Sequence, residues 1–137
     1  MKTKILSLLL VVFLLSSCAP KPVILTGADR EAVLAFSESM TDNLLAGLTA
    51  GDYAVFSRDF DADMLKAMTS AQFDALKADR DEKVGTYISR TVTDVYQQDD
   101  FYVVVYTAKF EKEAEVLVRV VFRLADPHQI SGLWFSK

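Results

Sequence analysis

The chain has 137 residues, 51% of them apolar and 25% charged, with a formal net charge of −4 and one cysteine. That length holds one domain, and the apolar balance is that of a folded chain rather than a disordered tail. The acidic surplus argues against nucleic acid, whose phosphates demand clustered Lys and Arg, and against a polybasic hold on anionic lipid. With Cys18 alone, no internal disulfide forms.

The N-terminus carries Lys2 and Lys4 ahead of Ile5–Leu15, an apolar run broken only by Ser7. As a helix that run reaches about 16 Å, against a hydrocarbon core of roughly 30 Å. It is too short to span a bilayer, so residues 1–17 read as a signal peptide. Leu15-Ser16-Ser17-Cys18 then resembles the lipobox of bacterial lipoproteins, an aliphatic residue and two small ones before a cysteine. The resemblance implies cleavage between Ser17 and Cys18, with Cys18 acylated as the new N-terminus. One acyl chain holds a protein only marginally, so durable attachment takes the two or three chains such a cysteine carries. An ordinary secretory signal, with Cys18 incidental, is the alternative. Loss of Lys2 and Lys4 takes the charge from −4 to −6. Ala19 is not the aspartate that retains lipoproteins at the inner membrane of diderm bacteria, so the address leans to the outer membrane, where there is one. Residues 18–28, with Pro20 and Pro22, read as a stiff tether leading into a domain at 29–137.

Within that domain, Asp29 is the expected helix N-cap, and Val33, Phe36, Met40, Leu44 and Leu48 recur at helical spacing. Gly51-Asp52 ends this long helix. A short helix is expected over Tyr53–Phe60, with Tyr53 and Phe56 facing inward. Asp59, Asp61 and Asp63 alternate as calcium ligands do, but Met64 stands where an EF-hand needs glycine and Ser70 where it needs glutamate. No metal site is therefore expected; Asp61 or Asp63 caps a helix carrying Met64, Leu65 and Met68. Ser70 is the expected cap of a further helix over Ala71–Lys77. Asp79–Lys83 reads as a solvated charged link closed by Gly85.

From Thr86 the hydrophobic period becomes two, predicting strands at Tyr87–Tyr96, Phe101–Phe110, Glu115–Leu124 and Ile130–Phe135. Short links favour an antiparallel meander. Val116, Val118, Val120, Phe122 and Leu124 face the core. For the partner strand either face serves, and a one-residue slip exchanges them. Lys109 places Tyr102, Val104, Tyr106, Ala108 and Phe110 inward. Phe101, Val103, Val105, Leu117 and Val121 then make an apolar outer face of the kind that marks an interface.

Gly51-Asp52-Tyr53, Phe60-Asp61-Ala62-Asp63-Met64, Phe110-Glu111-Lys112 and the closing Ile130–Phe135 strand together resemble a bacterial domain of unknown function within the nuclear-transport-factor-2-like superfamily. The resemblance implies an α+β cone, with a long helix and two short ones on a four-stranded antiparallel curved sheet. It implies a pocket but no activity, since fold does not fix function. The leading expectation is a membrane-anchored, non-catalytic binding or protein-interaction module without a cofactor. It would take a small apolar ligand among Tyr102, Tyr106 and Trp134, or a partner or second copy on the sheet face. A proton-transfer enzyme of isomerase or hydratase type is the first alternative. It would want Asp59, Asp61 or Asp63 aimed at Tyr102 or Tyr106, because the one histidine, His128, reads as exposed in a turn. A structural dimeric accessory subunit is the second.

Overall fold

A computed structural model describes residues 20–137; Ser17 and Cys18 lie outside the described residues. The chain is α+β, with four helices and one five-stranded sheet. Strand β1 (Val23–Ile24) leads into α1 (Gly27–Ala50), α2 (Tyr53–Phe56), α3 (Ala62–Ala67) and α4 (Ser70–Lys83). The meander follows as β2 (Tyr87–Gln98), β3 (Phe101–Phe110), β4 (Val116–Arg123) and β5 (Ile130–Ser136), all antiparallel and in sequence order. The fifth strand corrects the expected count of four. Val23 and Ile24, read as tether, pair with Gln97 and Tyr96 at the sheet edge. Two residues are too few to show a period, so only pairing reveals such a strand. Among the described residues no helix is long and apolar enough to cross a membrane.

Helices α2, α3 and α4 start where a side chain satisfies orphan amides; α1 has no side-chain cap. Asp52 accepts from Val55 N at 3.1 Å, and Asp61 from Met64 N at 2.7 Å. The cap of α4 is Thr69, in a reciprocal capping box with Gln72, in place of the expected Ser70. Helix α1 begins two residues before Asp29, which lies in its first turn, with Thr26 at the cap position. The link expected at Asp79–Lys83 is instead the last turn and more of α4, steadied by Lys77–Asp81 and Lys83–Asp79 pairs at i,i+4. At the other end of α1, Gly51 adopts φ 71° and closes the helix through Gly47 O. Gly47 serves a different purpose. A Cβ there would stand 2.3 Å from Phe56 N, so its absence lets α2 press backbone-close against α1.

The core lies between α1 and the inner face of the sheet. Val104, Tyr106 and Ala108 of β3 and Val116, Val118, Val120 and Phe122 of β4 are fully buried there. The tyrosine face of β3 is thus inward, as Lys109 indicated, in a register that sets Tyr106 opposite Val118. The buried stripe of α1 differs from the expected one by a single step. Val33, Ser37, Thr41, Leu44 and Leu48 are buried, while Phe36 and Met40 are half-buried at its flank. Two hydroxyls therefore occupy the centre of the helix–sheet contact, where a purely apolar reading placed two large side chains.

The Phe60–Met64 stretch acts as a clasp between the helical half and β5. Phe60 bridges Ile130, Asp61 N donates to Ile130 O at 2.9 Å, and Ile130 N donates to Asp59 O at 2.7 Å. Arg123 completes it, donating from Nε to Asp61 at 2.6 Å and from a terminal nitrogen to Asp63 at 2.9 Å. Burial raises the Asp61 carboxyl, but the Met64 amide and the Arg123 guanidinium outweigh it and hold the group below the ordinary carboxylate range.

Candidate functional site

The strands end together in the β2–β3 and β4–β5 turns, and the N-terminal turns of α1 meet the sheet near this end. Between them lies a groove of about 360 Å³, within the range of small-ligand sites. Its floor comes from Leu25, Val33 and Phe36, and its wall from Gln97 and Tyr102 on paired positions of β2 and β3. Asp29 and Ala32 form the helical rim.

His128 closes the groove, which corrects its expected place as an exposed turn residue. It holds φ 58°, in the left-handed region that a non-glycine residue seldom adopts, at the close of a turn in which its amide donates to Ala125 O at 2.9 Å. The imidazole stacks on Phe36 with centroids 4.2 Å apart and planes at 17°, and meets Tyr102 edge-on at 5.8 Å. Phe36 and Tyr102 are themselves 6.0 Å apart, so three rings enclose one corner. Nδ1 faces the Arg123 carbonyl at 3.0 Å and donates to it in the tautomer that is protonated there. Nε2 lies 3.1 Å from Asp126.

Of the three residues proposed from sequence as pocket lining, the fold brings none together with another. Tyr102 lines the groove. Tyr106 is fully buried in the helix–sheet interface and lines none of the grooves described here. Its hydroxyl lies 3.1 Å from Thr41 Oγ1 and donates to Glu38 at 2.8 Å. Burial raises its phenol far above the usual range. Arg90 stacks over the Tyr106 ring at 5.0 Å and donates to Asp42 at 2.6 Å and Glu38 at 3.2 Å. This is a polar staple through the core, legible only as a serine and a threonine four residues apart in an otherwise apolar stripe.

Trp134 lies on the opposite, outer face, half exposed at 50%. Its indole folds over Gly132, where a Cβ would come within 2.4 Å of the ring, and Arg119 stacks on it at 4.7 Å. Tyr96, Phe101, Val103 and Val121 share this face, around a shallow groove of about 260 Å³. Arg123 covers Phe101 at 5.1 Å.

The carboxylates whose approach to Tyr102 or Tyr106 would favour proton transfer point elsewhere. Asp59 accepts from Asn43 at 3.0 Å, and Asp61 and Asp63 both engage Arg123. The carboxylate at Tyr106 is Glu38, from α1.

A long helix laid on an antiparallel meander, with a groove at the shared end of helix and strands, defines a small α+β domain. Residues 31–133 match the family described as "Protein of unknown function (DUF3887)", and the chain belongs to that family. No curated protein matches the chain, and no solved structure does.

Proposed function

We propose that this chain is a lipid-anchored lipoprotein of the bacterial cell envelope, a nuclear-transport-factor-2-like module that binds a small ligand without acting on it chemically. The observation that carries the reading is the aromatic-walled groove at the end of the fold where the chain enters. Val23 pairs with Gln97, and Leu25 and Gln97 both line the groove. Cys18 precedes Val23 by five residues, a reach of at most about 17 Å. A protein held at Cys18 therefore carries its groove beside the bilayer surface, positioned to meet ligands there.

Intact mass of membrane-extracted protein, wild type beside Cys18→Ala, tests the address. The expected species begins at Cys18 with added acyl mass, which the variant lacks. An unlipidated species cleaved near Cys18 would make this a diffusing secreted domain and overturn the anchoring.

A second reading, a protein interface or homodimer contact on the outer sheet face, is favoured by the exposure of Trp134 and Leu117, 50% and 43%. Val103, at 5% exposure, is too buried to probe it. Trp134→Lys should convert any dimer to monomers while leaving the fold intact; a wild-type monomer at all concentrations counts against the dimer.

A further inference from the structure

We infer that the groove takes an organic ammonium group borne on a short apolar body. The inference rests on the binding-module reading and names the class of ligand for that site.

Asp29 is the one acidic side chain lining the groove, and no lysine or arginine lines it. Among the described residues Asp29 forms no ion pair; the neighbouring Arg30 pairs with Glu31 at 3.2 Å. Gln97 and Tyr102 add a side-chain amide and a hydroxyl to the same space, each able to accept or to donate. One acceptor-only carboxylate, two groups that serve either way and no lysine or arginine favour a ligand that is cationic and donates. The remaining walls are the rings of Phe36, Tyr102 and His128, and aromatic faces attract a cation that has given up part of its water.

Other ligand classes fit less well. A carboxylate or phosphate would meet Asp29 with no lysine or arginine in the lining, near the exposed Asp126, and only the amide end of α1 would favour it. A wholly apolar body would cover the Asp29 carboxylate and the Gln97 amide without returning a hydrogen bond to either. An ammonium group on a few carbons answers both parts of the lining at once. Two sources present it: a free amine, or the amine headgroup of a lipid in the bilayer to which the groove is tethered.

The test uses the mature chain purified from membranes and placed in phosphatidylglycerol nanodiscs, which contain no amine. Butylammonium, butyrate and butanol are titrated by calorimetry. Saturable binding of butylammonium alone is expected, at least tenfold weaker in Asp29→Asn and lost in Ala32→Trp, which fills the groove from its helical rim. Both variants are checked for an unchanged circular dichroism spectrum. Butyrate or butanol binding as tightly as butylammonium overturns the inference. So does an unchanged affinity in Asp29→Asn, or no saturable binding at all. Replacing half of the phosphatidylglycerol with phosphatidylethanolamine separates the sources. A raised apparent Kd for butylammonium assigns the lipid headgroup, and an unchanged one assigns a free amine. Absence of lipid on Cys18 would remove the anchoring, but the same titration on the secreted chain would still decide the ligand class.

Discussion

The two faces of the β3–β4 hairpin are almost equally apolar in sequence and quite unlike in the fold. On the inner face, Val104, Tyr106, Val118, Val120 and Phe122 are sealed beneath α1. On the outer face, Val103 is buried by its strand neighbours, but Leu117 stands in solvent and Trp134 is half exposed. The polar groups differ as well. Inside, hydrogen bonds link Thr41, Tyr106, Glu38 and Arg90, with the Arg90 Nε buried and unpartnered. Outside, Arg119 and Arg123 lie over aromatic rings, where their guanidinium groups still reach water. Apolar alternation alone therefore does not identify a core. What makes one is a second layer that excludes water from it.

Truncating one large ring on each side of this divide should give the widest contrast. Phe122→Ala leaves a cavity beneath α1 and should cost about 3–5 kcal/mol, whereas Trp134→Ala should cost about 1 kcal/mol. Urea denaturation of both variants measures the gap; equal losses would mean that the outer face is covered as thoroughly as the inner one.

The two crowded glycines offer a finer comparison. A methyl group at Gly47 meets the backbone of Phe56, which cannot yield without separating α2 from α1. Gly47→Ala should destabilise by about 2 kcal/mol. At Gly132 the obstruction is the far end of the Trp134 indole, which can swing away. Gly132→Ala should cost less than about 1 kcal/mol while changing Trp134 fluorescence. A larger loss at Gly132 than at Gly47 would show the indole to be locked in place rather than resting on the sheet.

The clasp gives the most graded effect. The Asp61 carboxyl titrates lower in the folded chain than in the unfolded one, whose value is about 3.9. As pH falls, the unfolded state takes up its proton first. The stability Asp61 contributes is therefore complete well above pH 4, declines as pH approaches the unfolded value, and is gone below the folded one. Asp61→Asn should lower stability at pH 7 and flatten its decline between about pH 5 and pH 3. An unchanged acid limb in the variant would assign that decline to other carboxylates.

The groove shows where reading the sequence succeeds and where it stops. The polar-tipped ring that marks Tyr102 as a wall residue marks Tyr106 and Trp134 equally, and of the three only Tyr102 lines this groove. His128 carries no such signal. Its neighbours Asp126 and Pro127 signal a turn, and nothing in a turn signal says which way a ring points once φ is positive. Asp29 was read as a helix cap, yet the helix starts earlier and leaves the carboxylate on the groove's rim. The polar-tipped ring of Trp134 suggests a pocket wall, and strand parity with the cleared space over Gly132 puts it on the outer face, beside the shallow groove there.

Local chemistry by itself determined several features: the helix-to-strand change near Thr86, the turns at Gly51 and Gly85, a cap at Asp61 or Asp63 and the inward side of β4. Each depends on residues within one or two turns of each other, so spacing and side-chain type suffice. Only the tertiary structure decided which residues of α1 meet the sheet, that Val23–Ile24 adds an edge strand, and that Phe36, Tyr102 and His128 surround one space. Those contacts join residues as many as 92 positions apart, between Phe36 and His128. Their geometry is set by how the helix lies on the sheet, and no short stretch of sequence carries that angle.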